Sequence, residues 1–308
     1  NSDSSPGTGL NNALISSYNI ASKIMTDPLS VNINLLAIPG IKEPLITDRA
    51  AELTQDYSKA LYIMDIPSYD YLNNRLYDDY ASTPSVDKTI QKFEARSVDN
   101  SYVATYFPDV IKRHRQDDGG TLTVPASVAA YQAIAFNDKI THPWFAPAGF
   151  NRGALDTVLN TEVRLNAEDR NILYEARINP IASFPNGGFV IFGQKTLQQA
   201  KSALDRVNVR RMLLEVKRIV SNIANGLIFE QNTPATRARF VKLTKPKLAN
   251  IQSNQGIDSF RVIMNDSNNT PEDAEQNRLN GRIVLVPTRA AEFIAIDFII
   301  TNSGVSFE

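Results

Sequence analysis

The chain has 308 residues, of which 43% are hydrophobic, with a formal net charge of −1 at pH 7 and no cysteine. This length can bury one large or two moderate cores. The balanced charge gives no reason to expect a nucleic-acid partner, and the lack of cysteine excludes disulfides, thiolate metal sites and cysteine nucleophiles.

The N-terminal part alternates helix patterns with strand patterns. Apolar residues recur at near-helical spacing over residues 11–25, and the following run VNINLLAIPG predicts a buried strand that ends at Pro-Gly. Thr47 or Asp48 is expected to cap a helix that reaches Tyr57, and ALYIMDIP predicts another strand. Because these strands are apolar on both faces, we expect a parallel sheet covered by helices on either side, which is an α/β fold.

The middle of the chain continues this alternation after a polar interruption. Residues 69–100 are polar and tyrosine-rich, which predicts peripheral surface helices interrupted near Pro84. The run SYVATYFP predicts a strand, and the Asp-Gly-Gly stretch before TLTV predicts a turn between two extended segments. Pro125 is expected to start a helix, a further helix begins at Asn166 or Ala167, and FVIF predicts a strand.

The C-terminal third changes to long helices followed by strands. Residues 198–225 predict one regular amphipathic helix with a left-handed glycine cap at Gly226. A second helix should start at Pro234 and be kinked or split at Pro246. The runs SFRVIMND, GRIVLVP and AEFIAIDFII predict strands, of which the last is apolar on both faces. We expect a domain boundary near residues 195–200.

No part of the sequence predicts a catalytic, cofactor-binding or metal-binding residue. The run GFVIFGQKT resembles a phosphate-binding loop, but Gln194 stands where lysine is required, and the run has the composition of a buried strand. A serine hydrolase needs a histidine base, and only His114 and His142 exist; His142, followed by Pro-Trp, predicts a packed loop. We therefore expect a protein that is not an enzyme, with no cofactor and no membrane-spanning segment.

Charge is distributed unevenly along the chain. Residues 1–100 hold eight Lys and Arg against thirteen acids, whereas residues 201–250 hold eleven against three. The basic residues either form solvated helix faces or dock against an acidic surface of a neighbouring protein. The residues predicted for such inter-subunit contacts are Arg206, Arg210, Arg211, Lys217, Arg218, Lys242, Lys245 and Lys247.

Several segments in a fixed order resemble a known family. They are TVPASVAAYQAIAFND, THPWFAPAG, RINPIASFPNGGFVIFGQKTL, VNVRR, FEQN and AAEFIAIDF, which together run from about Tyr102 to the end of the chain. This set resembles the contractile bacteriophage tail sheath proteins.

The resemblance implies an architecture and a mechanical function. It implies a subtilisin-like α/β sandwich domain over 1–195, with a peripheral insertion at about 69–100, and a smaller α+β C-terminal domain over 196–308 with an extended terminal strand. It further implies hexameric rings of sheath subunits stacked helically around a tail tube protein. Baseplate and tail terminator proteins would be further partners, without nucleic acid or membrane. The expected location is the virion tail, after assembly in the cytoplasm of the host bacterium.

The resemblance also implies that subunits are linked by terminal arms that add a strand to a neighbour's sheet. The residues expected to form the C-terminal arm are Ser303, Gly304, Val305, Ser306, Phe307 and Glu308. The family's N-terminal arm has no counterpart before the first predicted helix, so we expect a trimmed or truncated sheath subunit of a large myovirus-type phage. Two alternatives stay open: an α/β-fold hydrolase, and a non-contractile virion or baseplate module.

Overall fold

The computed structural model describes residues 12–72, 83–114, 120–185, 187–276 and 278–292. Its central feature is a five-stranded sheet with the strand order β1-β2-β3-β7-β8. The first four strands are parallel, and β8 pairs antiparallel with β7 at the edge. These strands are β1 (Leu35–Ala37), β2 (Leu61–Met64), β3 (Val103–Phe107), β7 (Ile178–Phe184) and β8 (Gly188–Ile191).

Helices cover both faces of this sheet because alternate residues of each strand point to opposite faces. Leu61 and Ile63 of β2 belong to a core shared with helix α4 (Ala126–Ile140). Tyr62 and Met64 belong to a second core on the other face. That second core is shared with α2 (Pro44–Tyr57), α3 (Val86–Glu94) and α6 (Ala167–Glu175). The predicted α/β arrangement with a parallel sheet is therefore confirmed for the described residues.

The helix starts agree with the sequence in most places. The first helix, α1 (Ala13–Met25), is capped by Asn12, whose side chain accepts from the backbone N–H groups of Leu14 and Ile15. Asn166 caps α6 reciprocally with Asp169, so the helix begins at Ala167, one of the two starts that the sequence predicted. The prediction for α2 was wrong: Pro44 occupies its first turn, so the helix begins before the expected caps Thr47 and Asp48.

The segment predicted to be peripheral contributes to the core. Ser85 caps α3, and the helix buries Val86 and Phe93 in the second core. The prediction of purely surface helices over 69–100 was wrong here, because the polar composition of the segment hides two apolar residues seven positions apart. Such a spacing places both side chains on one face of a helix.

A second, antiparallel sheet lies beside the first core. Its strands are β4 (Val110–Arg113), β5 (Thr121–Val124) and β6 (Val158–Thr161), in the order β5-β4-β6. The predicted pair of extended segments around the Asp-Gly-Gly stretch is thus confirmed as β4 and β5, although residues 115–119 lie outside the described part. The short helix α5 (Gly149–Arg152) precedes β6.

The C-terminal third forms a separate core. Helices α7 (Val207–Asn225) and α8 (Pro234–Ser253) pack with β9 (Ile257–Ile263) and β10 (Arg282–Pro287), and the short helix α9 (Pro271–Glu275) lies between the two strands in sequence. The strands β9 and β10 pair antiparallel.

Three details of this region differ from the expectation. The helix α7 begins nine residues later than residue 198, after a 3-10 turn at Ala203–Asp205. Gly226 keeps a right-handed conformation, with φ −73°, instead of forming a left-handed cap. The helix α8 continues through Pro246 without being split.

Gly153 and Gly226 differ in the space available for a side chain. A Cβ added at Gly153 would lie 2.8 Å from the backbone Cα of Ala148 and the carbonyl oxygen of Ile191, whereas one at Gly226 would meet nothing closer than 3.5 Å. We expect Gly153→Ala to lower the free energy of unfolding by about 1–3 kcal/mol, because neither backbone contact can yield cheaply. Gly226→Ala is the matched control, and urea unfolding is the measurement. Equal stability of the two variants would contradict the packing described here.

Candidate assembly site

Arg210 and Arg211 of the predicted contact set are buried within the chain. Each is only 3% exposed. Arg210 lies over the ring of Tyr102 at 4.0 Å and donates to the carbonyl oxygen of Ser101, while Arg211 forms two hydrogen bonds of 2.5 and 2.8 Å to Asp138. The expectation that these two guanidiniums form part of an exposed basic surface was therefore wrong, because both have internal partners.

The remaining predicted residues of α7 and its start also have partners within the chain. Arg206 donates to Glu292 at 2.6 Å and lies 3.2 Å from a carboxylate oxygen of Asp205. Lys217 donates to the Tyr102 hydroxyl at 3.2 Å. Arg218 pairs with Glu215 one turn earlier on the solvent side of the helix. The structure thus gathers most of the α7 cations into intramolecular contacts.

The basic residues of α8 form an exposed face. Lys242, Lys245 and Lys247 are all exposed. Lys242 and Lys245 line a cleft of about 810 Å³ between α8 and β9, together with Arg261. Contact of this face with another protein stays a prediction. The expected arm residues 303–308 and the apolar run after Glu292 lie outside the described residues.

Glu292 anchors the last described residues to the body of the fold. Its carboxylate accepts from Arg206 Nε at 2.6 Å, from the Tyr174 hydroxyl at 2.6 Å and from Gln194 Nε2 at 3.2 Å. Burial and the hydrogen bond to Glu292 raise the pKa of Tyr174 above its ordinary value, which keeps the hydroxyl a proton donor. These residues come from α6, the end of the β8 segment and the start of α7, so the anchor joins three separate parts of the chain.

Sequence reasoning missed this anchor. In the sequence, Gln194 is notable only because it departs from a phosphate-loop pattern, and Glu292 belongs to a predicted strand. The one usable signal was a single carboxylate directly before a long apolar run. Its partner Arg206 lies 86 positions earlier, a separation at which sequence alone does not pair charges.

A second polar cluster lies at the carboxyl edge of the parallel strands. Asp65, which follows β2, accepts from the backbone N–H of Gly40 and from both the backbone and the hydroxyl of Ser127 at 2.7–2.9 Å. Asp109, which follows β3, pairs with Lys42 at 2.6 Å and accepts from the backbone of α4. The cluster therefore ties the β1–α2 loop to the start of α4.

The ionisation of this cluster is set by burial. Burial raises the pKa of Asp65, against the hydrogen bonds from Ser127 and Gly40. Burial and the charge of Asp109 likewise raise the pKa of Glu162. Burial lowers the pKa of Lys42, but attraction by Asp109 and Glu162 outweighs it, so that the net shift of the Lys42 pKa is upward. Lys42 is therefore the fixed positive charge around which the three acids are arranged.

His142 and the run FVIF, for which the sequence predicts no function, are part of the packing of the fold. The ring of His142 stacks on Trp144 at a centroid distance of 4.5 Å, which confirms the predicted loop packing. The run FVIF forms most of β8, so its backbone N–H groups face strand partners and not an anion. Within the described ranges, no group of three or more His, Cys, Asp or Glu is arranged to hold a metal ion, and no helix has the length and apolar character needed to cross a bilayer.

Loss of the Glu292 carboxylate should destabilise the chain more than loss of an exposed one. We expect Glu292→Ala to lower the free energy of unfolding by about 1–3 kcal/mol, because it removes the acceptor of the Tyr174 hydroxyl and leaves the partly buried Arg206 with Asp205 alone. Glu230→Ala, which breaks an exposed pair with Arg239 at 3.5 Å, is the matched control, with an expected cost below about 0.5 kcal/mol. Urea denaturation measures both, and equal losses would contradict the anchor.

Glu162 should make stability depend on pH. A carboxyl whose pKa is higher in the folded chain than its ordinary 4.5 contributes stability below pH 4.5, and that contribution disappears as the pH rises through the folded pKa. Since glutamine cannot ionise, Glu162→Gln should be more stable than the wild type at pH 7, and the difference should shrink on acidification.

The pH dependence is measured by urea unfolding between pH 7 and 4. The matched control is Glu52→Gln at an exposed position of α2, which should track the wild type throughout. A Glu162→Gln advantage that grows as the pH falls would refute the assignment.

Known proteins resemble this chain in both sequence and fold. Residues 199–301 match the family model of the phage tail sheath C-terminal domain. The tail sheath protein of Vibrio phage KVP40 is 36% identical over 173 residues, which are 56% of this chain and 26% of that protein. The tail sheath protein of Enterobacteria phage T4 is 30% identical over 185 residues, or 60% of this chain and 28% of that protein. The matched regions thus span little more than a quarter of these relatives.

Solved structures share the fold at low sequence identity. The sheath complex of an extracellular contractile injection system in its contracted state has a TM-score of 0.72 at 20% identity, covering 94% of this chain and 83% of that one. The helical sheath of the anti-feeding prophage, also contracted, has a TM-score of 0.68 at 22% identity, covering 87% and 70%. The mixed helix and strand fold is therefore that of sheath subunits. Residues 199–301 are thus similar to the phage tail sheath C-terminal domain, and the described part of the chain shares its fold with sheath subunits.

Proposed function

We propose that this chain is a structural subunit of a contractile phage tail sheath. In this role it polymerises around a tail tube in the virion tail and contracts to drive the tube through the host envelope. The observation that carries the proposal is the match of residues 199–301 to the sheath C-terminal domain, joined to a fold similarity that covers nearly the whole chain. Assembly would take place in the cytoplasm of the host bacterium.

We further propose the division into a subtilisin-like sandwich domain over 1–195 and a C-terminal domain over 196–308. Two observations support it. The parallel sheet has helices on both faces and two cores of its own, and the residues of α7, α8, β9 and β10 form a third core. The boundary at about 195 falls between β8 and the 3-10 turn before α7.

The exposed lysines of α8 are the best-supported docking face. Lys242, Lys245 and Lys247 keep their ammonium groups at the surface, whereas Arg210 and Arg211 are engaged inside the chain. A face of this kind fits an acidic surface on a neighbouring subunit or on the tail tube protein, and such a contact weakens with salt. The baseplate and the tail terminator are further proposed partners at the ends of the sheath.

In this proposal, the C-terminal arm of residues 303–308 keeps neighbouring subunits connected during contraction. A strand formed by residues 303–308 on a neighbour's sheet would gain about 0.5–1.5 kcal/mol net for each backbone hydrogen bond. Glu292 is anchored to the body about ten residues earlier, which gives such an arm a fixed point of departure. Subunit bodies can then exchange one packing for another while the strand links persist, so no fuel molecule is required.

Catalysis has little support. Among the described residues, His142 is stacked in a loop, and the first part of the run GFVIFGQKT is the strand β8, whose backbone is paired with β7. The proposed function therefore excludes enzymatic activity and a cofactor. A non-contractile virion or baseplate module is separated from a sheath by the experiment below.

Electron microscopy tests the sheath function. The full-length protein, produced with its cognate tube protein, should form tubes of two diameters, one extended around the tube and one wider and contracted. Tubes of a single diameter would favour the non-contractile module, and the absence of any tubes would refute the sheath proposal.

A charge-reversal variant sharpens this test. Lys242→Glu, Lys245→Glu and Lys247→Glu together should prevent ordered tubes, because they reverse the proposed docking face. Lys88→Glu with Lys92→Glu on α3 is the matched control and should assemble normally. Repeating both without the tube protein separates a subunit–subunit contact from a subunit–tube contact.

A further inference from the structure

A cavity of about 710 Å³ lies between α5, α6, the residues after β8 and the segment 288–292. We name it the aromatic cavity. Its volume is in the range of ligand-binding clefts. Two of its rings, Phe150 and Phe192, are 53% and 44% exposed, so they are accessible to a ligand. The aromatic residues that line it are Trp144, Phe145, Phe150, Tyr174 and Phe192.

The exposed rings are held in place by packing on one another. The rings of Phe150 and Phe184 meet edge-on with centroids 5.1 Å apart, and those of Phe184 and Phe192 lie 4.9 Å apart. Gly187 allows the close position of Phe150, because a Cβ at residue 187 would lie 2.5 Å from that ring. An apolar ligand therefore meets a wall that is already packed, which lowers the ordering cost of binding.

The aromatic cavity carries an excess of positive charge. Arg152, Arg170 and Arg289 line it, against the single carboxylate of Glu292, which already accepts three hydrogen bonds. Within the described ranges, none of these three arginines forms an ion pair. The guanidinium of Arg170 lies over the Phe184 ring at 4.8 Å, which leaves its N–H edge available for a carboxylate.

The segment 289–292 adds unpaired main-chain groups to the same cavity. In the part of the chain that the structure describes, its backbone N–H and C=O groups take part in no backbone hydrogen bond. Such groups bind an extended peptide, because the main chain of the peptide supplies matching donors and acceptors. A nucleotide also combines a ring with negative charge, but it lacks this row of main-chain groups. The cavity therefore fits a peptide better than a nucleotide.

We propose that the aromatic cavity binds an extended acidic peptide of a partner protein, in which an aromatic side chain is flanked by two acidic residues. The aromatic side chain packs against Phe150 and Phe192, and the carboxylates pair with Arg170 and Arg289. Aromatic packing supplies affinity, while the charges select the peptide. This site goes beyond the sheath function and does not depend on it.

The number of acids distinguishes the ligand from the C-terminal runs of this chain. Three guanidiniums against one carboxylate leave an excess of two positive charges, so a complementary peptide carries two acids. The run 293–300 has Asp297 alone, and the run 303–308 has Glu308 alone. Neither run therefore has the charge of the proposed ligand.

The fluorescence of Trp144 measures binding, because it is the single tryptophan of the chain and lines the cavity. Acetyl-Asp-Phe-Asp-amide should change this fluorescence saturably. It should bind about tenfold more tightly than acetyl-Lys-Phe-Lys-amide, which places like charges against the arginines. It should also bind at least about tenfold more tightly than acetyl-Asp-Ala-Asp-amide, which lacks the ring.

Charge reversal at Arg289 tests the location of the site. Arg289 is exposed, and within the described ranges it takes part in no hydrogen bond or ion pair, so its replacement leaves the packing intact. Arg289→Glu should weaken binding of acetyl-Asp-Phe-Asp-amide about tenfold and strengthen binding of acetyl-Lys-Phe-Lys-amide. Arg282→Glu, at an exposed position of β10 outside the cavity, is the matched control and should leave both affinities unchanged.

Three results would overturn the inference: no peptide changes the Trp144 fluorescence, Arg289→Glu and Arg282→Glu behave alike, or AMP binds more tightly than the acidic peptide. Tighter binding of acetyl-Val-Ser-Phe-Glu, the run 305–308, would also overturn it, since the ligand would then be another copy of this chain. Tube formation is measured separately, so failure of the peptide site leaves the sheath proposal standing.

Discussion

Two-sided burial of the parallel sheet is the constraint on which the other features depend. The strand β2 is fully buried, with alternate residues in two different cores, so helices must occupy both sides of the sheet. Those helices bury the faces that contact the sheet. Their outer faces and the ends of the strands are the parts that remain accessible to other molecules. The polar cluster of Asp65 and Asp109 at the carboxyl edge is a consequence of this layering.

Local patterns were sufficient to predict most elements of the fold. Strands β2, β3 and β8 follow from short apolar runs, and the start of α6 lies where the sequence predicted a helix to begin. Where the prediction failed, a longer-range effect decided the outcome. The helix α7 starts late because residues 195–206 are held by other contacts, including the bond from Asn179 to Lys195. Such contacts join residues distant in sequence, which periodicity cannot reveal.

Within the candidate site, two of the arginines are buried and the lysines of α8 are exposed. The composition of the segment does not show this difference. Arginines are well suited to buried pairs and aromatic stacking, since the planar guanidinium matches a carboxylate or a ring. Arg210 and Arg211 are used in this way, on Tyr102 and Asp138. Lysines keep a compact, strongly hydrated charge, and those of α8 stay at the surface. The basic segment therefore contains two populations, and the lysines of α8 are the ones available at the surface to meet an acidic neighbour.

A contractile assembly needs subunits that stay rigid while their contacts change, and the structure separates these two requirements. Rigidity comes from the three cores and from buried polar ties such as Asp65, which holds a loop to the start of α4. The exposed lysines of α8 lie outside these cores, so the proposed contact through them could break without exposing the interior. Because Glu292 fixes the chain to the body just before its last residues, a strand link beyond that point would transmit force to the cores without unfolding them.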